Sequence, residues 1–209
     1  MSKSVAVVDY GAGNILNVVR AFEFLGVEVD VVSDAREIPK SAALVIPGVG
    51  DFGAGSRGLA ADGLDGAIRD FTRSGKAVLG ICLGMQLCAE DSEESPGFPG
   101  LGLIDGHVLD LHGLSDPSGE TIVPDTGWAR VDFSQSIFGG PPRESQSYYF
   151  SHSYYLRPRD SAAIVATKAF GDTVLPAVVA WENVIGLQFH PEKSGHGGIH
   201  LLHDWMASH

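Results

Sequence analysis

Four short runs rich in Val, Ile, Leu and Ala, at residues 4–9, 27–32, 43–46 and 77–81, most constrain what this chain can become. The segments between them are long enough to hold helices. Strands of that texture, separated by helices, bury both faces of a parallel sheet, and the open doubly wound α/β arrangement follows. Between the first two runs, Ile15, Val18, Val19, Phe22 and Leu25 recur at helical spacing. Asn14 suits the N-cap of that helix and Gly26 its C-terminal stop. A second helix, interrupted by glycines, is expected over residues 56–73, which contain Leu59, Leu64, Ile68 and Phe71.

After about residue 92 the texture changes. Pro96, Pro99, Pro117, Pro124, Pro141 and Pro142, with many glycines, punctuate short runs at 102–111, 127–133 and 147–155. These predict antiparallel strands and long connections, an extension of the parallel sheet rather than further βαβ units. Residues 178–182 and 184–189 form an expected hairpin around Asn183, residues 197–207 a closing helix, and 134–146 a loop. With 209 residues and no repeat or linker, residues 1–209 read as one domain.

Charge narrows the function. Fourteen Lys and Arg stand against 26 Asp and Glu, a formal charge of −12. Such a surface repels phosphate backbones, so nucleic acid is not an expected partner. No run reaches the roughly 20 apolar residues that span a bilayer, and the first ten residues read as a strand rather than a signal peptide. A cytoplasmic protein without membrane contact is expected. The two cysteines, Cys82 and Cys88, would lie about 9 Å apart on one helix, too far for a disulfide.

The sharpest chemical signal is Gly80-Ile81-Cys82-Leu83-Gly84-Met85-Gln86, directly after the fourth run. It is a Gly-x-nucleophile-x-Gly elbow with Cys as nucleophile. The glycines permit a tight strand-to-helix turn that exposes the sulfur, and the helix start beside it favours the thiolate. The Leu83 N–H would face a tetrahedral oxyanion. Packing of a small residue between two glycines is the competing explanation. Cys88, inside the following helix, reads as core.

A nucleophile needs a base, and the base an orienting group. Gln188-Phe189-His190-Pro191-Glu192-Lys193 offers both. His190 follows an apolar strand, at the end where doubly wound sheets bind ligands. Pro191 keeps His190 extended, and Glu192, two residues on, would face the same side. A third segment, Pro47-Gly48-Val49-Gly50, again follows a buried strand, and its glycines let backbone N–H groups converge on an anion. Tyr10-Gly11-Ala12-Gly13 begins like a dinucleotide fingerprint, but Leu16 stands where a third small residue is required. His196, His200 and His203 are spaced along a helix without a completing ligand, so no metal and no cofactor are expected.

Taken together, these segments resemble the class I (triad) glutamine amidotransferases along nearly the whole chain. The opening Asp9-Tyr10-Gly11-Ala12-Gly13-Asn14, the segment His152-Ser153-Tyr154 and the ending Glu192-Lys193-Ser194-Gly195 are similar to the glutaminase subunits that serve imidazole glycerol phosphate synthase. The resemblance implies a flavodoxin-like fold and a Cys82–His190–Glu192 triad that hydrolyses glutamine. It implies oxyanion donors at Leu83 and in the Val49–Gly50 loop, the latter rearranged by a partner. Gly48, Gly84, Gln86, Ser151, His152 and Ser153 would hold glutamine, and Asn14, Trp128 and Lys193 would face the partner. That partner is a (β/α)₈ cyclase subunit, which receives the ammonia and makes imidazole glycerol phosphate and an aminoimidazole carboxamide ribotide. The family pattern Val-Pro-His-x-Gly-Trp-Asn departs here to Val123-Pro124-Asp125-Thr126-Gly127-Trp128-Ala129. That departure leaves open a paralogue feeding another synthase, such as a sugar-modifying one. The residues alone also allow a stand-alone Cys hydrolase or DJ-1-like protein, or an inactive docking subunit. Neither explains why Cys82, His190 and Glu192 are all present.

Overall fold

The structure, a computed structural model, describes residues 4–11, 15–114, 121–138 and 141–208. Its first half is built from β1 (Ser4–Val8), α1 (Ile15–Phe24), β2 (Glu28–Val32), β3 (Ala43–Ile46), α2 (Phe52–Ala61), α3 (Leu64–Arg73), β4 (Val78–Ile81) and the short α4 (Leu83–Leu87). The second half adds β5 (Asp91–Ser92), β6 (Gly106–Asp110), β7 (Asp125–Phe133), β8 (Gln146–His152), β9 (Tyr154–Pro158), β10 (Ile164–Phe170), β11 (Thr173–Trp181), β12 (Val184–Leu187) and α5 (Gly195–Ala207). Nine strands form one sheet in the order β2-β1-β3-β4-β12-β11-β10-β7-β8, and β5-β6-β9 form a small second sheet. The first five strands of the large sheet run parallel. From β12 onward the pairings are antiparallel, through β11, β10, β7 and β8.

Each central strand serves two cores at once. Val5 and Val7 of β1 join a cluster with Phe22 of α1 and Leu201, Leu202 and Trp205 of α5. Ala6 and Val8 face the other way, toward Phe52, Leu59, Ile68 and Phe71 of α2 and α3. The doubly wound expectation therefore holds, with the antiparallel extension in the second half.

Several boundaries differ from expectation for physical reasons. The helix expected over residues 56–73 is two helices, because Gly63 takes a left-handed φ of 67° and ends the first. Residues 27–32 form an edge strand with Glu28 and Val31 exposed, not a run buried on both faces. Residues 147–155 divide at Ser153 between β8 and β9, which enter different sheets. Asn14, the expected N-cap and partner-facing residue, lies outside the described residues.

Candidate active site

The parallel strands β4 and β12 are neighbours, so the segments leaving their C-terminal ends are brought together. Cys82 follows β4 at once. Its N–H donates to Leu187 O at 2.7 Å, and its backbone sits at φ 53°, ψ −110°, a conformation costly for any residue with a side chain. The elbow is tight because its glycines touch backbone. A Cβ on Gly84 would lie 1.7 Å from Ile46 O, and one on Gly80 2.8 Å from Gly84 O. The helix that follows has only five residues, so its dipole adds little beside the sulfur. Cys88 stands one residue past that helix, fully buried, and burial pushes its thiol up to about 12. Both cysteines are free.

His190 stands three residues beyond β12 with an extended backbone, and Pro191–Lys193 coil into a 3₁₀ turn. That turn, rather than the pleat of a strand, carries Glu192 back to the ring: His190 Nδ1 and Glu192 Oε1 are 2.8 Å apart, both side chains buried. The Cys82 thiol lines the same cavity as the imidazole and interacts with it electrostatically. Burial draws the His190 pKa down, but the hydrogen bonds to Cys82 and Glu192 outweigh it and raise it from 6.5 to about 9. Ser194 fixes the backbone here, its Oγ donating to His190 O at 2.5 Å and accepting from Tyr149 N at 3.0 Å.

Cys82 and His190 open into a cavity of about 470 Å³, within the usual range for small-molecule sites. Val49 and Gly50 line it, as do Ser151, His152 and Ser153, at the end of β8 and just beyond. Gln86 also lines the cavity and donates from Nε2 to Tyr154 O and to Gln188 Oε1. Gly48 and Gly84 are not on the cavity wall: both are buried under neighbouring backbone and side chains, where a Cβ would clash. The Leu83 N–H is engaged, donating to Gly48 O at 3.3 Å. Gly48 in turn lies against the buried Tyr10, whose hydroxyl donates to Pro47 O at 2.6 Å.

Sequence reasoning missed four residues that shape this site. Gln188 is fully buried and reaches the Cys82 sulfur through Nε2 at 3.9 Å. Glu94 lines the cavity, and burial raises its carboxyl against the hydrogen bond it accepts from Phe52 N. Tyr10 braces the 47–50 loop, and Lys168, buried on β10, pairs with Asp125. Gln188 stood inside the His-Pro-Glu segment and Tyr10 inside the opening motif. Glu94 and Lys168 had no sequence signal, since their neighbours come from distant strands and loops.

At the outer rim, Trp128 of β7 is 60% exposed and packs edge-on against Tyr149 of β8. The Lys193 ammonium lies over the Tyr149 ring at 5.9 Å and also borders the cavity. Trp128, Tyr149 and Lys193 therefore form one surface beside the mouth.

The profile of the family described as glutamine amidotransferase class-I matches residues 6–207, and the chain belongs to that family. Its relatives include proteins named imidazole glycerol phosphate synthase subunit HisH. The one from Chlorobaculum tepidum is 38% identical over 95% of this chain and 96% of its own. That from Herpetosiphon aurantiacus is 40% identical over 97% and 93%, and that from Bacillus subtilis 39% over 95% and 93%. Among solved structures, a glutamine amidotransferase aligns with TM-score 0.75 over 98% of this chain and 99% of its own, at 20% identity. PurLQS from Thermotoga maritima aligns with TM-score 0.74 over 99% of each chain, at 19% identity. These two establish the likeness of fold alone.

Proposed function

We propose that the chain is the glutaminase subunit of an imidazole glycerol phosphate synthase, hydrolysing glutamine through Cys82, His190 and Glu192. The observation that carries the reading is the imidazole of His190 held by the Glu192 carboxylate and lining one cavity with the Cys82 thiol, in a member of the class-I amidotransferases. The relatives named for that synthase supply the pathway.

In this reading the Cys82 sulfur attacks the side-chain amide carbon of glutamine, and His190 delivers its proton to the departing ammonia. Water, losing a proton to His190, then cleaves the thioester and releases glutamate. Glu192 holds Nδ1–H, so Nε2 stays directed at the sulfur. Glu94 offers a carboxylate to the substrate's α-ammonium, and Gln86 and the 151–153 segment hold the rest. The oxyanion requires donors where the Gly48 carbonyl now occupies the Leu83 N–H. Turning the Gly48–Val49 peptide withdraws that carbonyl and brings in the Val49 N–H, a rotation taken up by ψ of Gly48, which has no Cβ to restrict it, and φ of Val49. Ammonia passes to a (β/α)₈ cyclase subunit docked on the Trp128–Tyr149–Lys193 surface, and this docking drives the rotation.

Glutamate release by the purified chain, with and without the host's imidazole glycerol phosphate cyclase and its nucleotide substrate, tests the whole reading. Strong stimulation by that pair is expected. Its absence, in an enzyme whose Cys82 still reacts with a glutamine-analogue affinity reagent, would assign the subunit to another synthase.

A further inference from the structure

Asp125 stands where the resemblance implies an imidazole, at the start of β7 and directly across from His152 of β8 in the strand register. Its Oδ2 lies between two bases. It contacts Nζ of Lys168, and Nε2 of His152 stands 3.4 Å away, within ion-pair range though not aligned as a hydrogen bond. Lys168 is 3% exposed, its ammonium lying over the Phe150 ring at 4.5 Å, and Asp125 is the carboxylate that meets it. A lysine so deeply buried requires such a counter-charge. His152 is equally enclosed, and its Nδ1 is held by Tyr154 O at 2.8 Å.

The place of this cluster gives it a consequence. Pro124, adjoining Asp125, and Ser151–Ser153, around His152, all line the cavity above Cys82. The carbonyl of Ser151 itself comes within 3.9 Å of the Cys82 sulfur. One carboxylate thus joins the start of β7 to the end of β8 beside Pro124 and the 151–153 segment that line the cavity. Burial opposes its ionisation, but the His152 ring and the Lys168 ammonium prevail and hold it below the usual carboxylate range.

We propose that Asp125 and Lys168 are a positioning unit that fixes the His152 ring, and through it the 151–153 wall that receives the substrate. The inference rests on the glutaminase reading, and one set of variants separates the two. The probe is 6-diazo-5-oxo-L-norleucine, a glutamine analogue that alkylates active-site cysteines. Labelling of Cys82, followed by mass spectrometry across probe concentrations, gives a half-saturating concentration and a maximal rate. Iodoacetamide, which needs no binding pocket, reports thiol reactivity alone.

Asp125→Asn is expected to raise the half-saturating concentration about tenfold, the effect of one displaced polar contact, with the iodoacetamide rate unchanged. The double variant Asp125→Asn/Lys168→Met should recover the melting temperature lost by either single change, since no buried charge is left unpaired, yet keep the weakened probe binding. In a His152→Phe background, Asp125→Asn should add less than about twofold, because the two act in series. Wild-type probe binding in the double variant, or an undiminished Asp125 effect without His152, overturns the proposal. If the single variants do not fold, the double variant carries the test. Wild-type Cys82 that reacts with iodoacetamide but shows no saturable labelling by the analogue would instead overturn the glutaminase reading.

Discussion

At Cys82 the requirements of reactivity and of stability diverge. The positive φ turns the sulfur toward the cavity, although Cys82 itself is 5% exposed, and any side chain there stores about 1–3 kcal/mol of backbone strain. Cys82→Gly should therefore melt higher than Cys82→Ala by a difference of about 1 kcal/mol, both lacking glutamate release; equal melting would mean the turn is relaxed. His190 carries a second consequence. Its pKa is raised from 6.5 to about 9, so the folded state holds a proton that the unfolded state releases earlier. The resulting stabilisation is complete below pH 6.5 and disappears as pH rises through 9, about 3 kcal/mol in all. Urea midpoints measured from pH 6 to 9 should fall for the wild type and stay nearly level for His190→Gln. Above that window the buried Cys88 thiol, with its pKa near 12, continues the decline in both proteins. A wild-type midpoint that does not move between pH 6.5 and 9 would show that His190 is not stabilised as its cation.

Among the elements, the glycines divide by what surrounds them. Gly84 lies against the Ile46 carbonyl, so Gly84→Ala must separate α4 from β3 and should cost about 3 kcal/mol or more, read in thermal melts. Gly66, inside α3 with open space at its Cβ position, should behave oppositely, Gly66→Ala stabilising by about 0.5–1 kcal/mol. The same contrast explains what could be read from the chain. The elbow and the His-Pro-Glu segment were legible because their chemistry is local: tight turns need Gly80 and Gly84, and Pro191 constrains His190. β1, β3 and β4 were legible because strands buried on both faces have a distinctive texture, while β2, read the same way, is an exposed edge strand. The β10 strand, residues 164–170, was not, since Lys168 interrupts an apolar run and only its distant partner Asp125 explains it. The geometry joining His190 to Glu192 was also misread: the two face each other across a 3₁₀ turn, where strand alternation was expected. Glu94 was illegible for a simpler reason, because only the packing of its loop against Phe52 brings its carboxylate to the cavity.

For the whole molecule, the sheet's antiparallel extension ends beside the cavity that Cys82 and His190 line, so the surface that borders it would also meet the partner proposed above. Trp128, more than half exposed, is a large apolar side chain that packs edge-on against Tyr149, whose ring also carries the Lys193 ammonium. Exposed aromatic anchors of this kind contribute heavily to association and little to folding. With the host cyclase, Trp128→Ala should bind at least about tenfold more weakly by calorimetry, a loss of ~1.4 kcal/mol or more. Its melting temperature should stay close to that of the wild type, because the ring buries little on folding. At saturating cyclase its glutaminase stimulation should return, since the Gly48–Val49 peptide, Cys82 and His190 are untouched by the change. Unaltered affinity would place the docking surface elsewhere. Weakened affinity with stimulation still lost at saturation would mean that Trp128 itself takes part in turning the Gly48–Val49 peptide, and that docking and activation are one event at this rim.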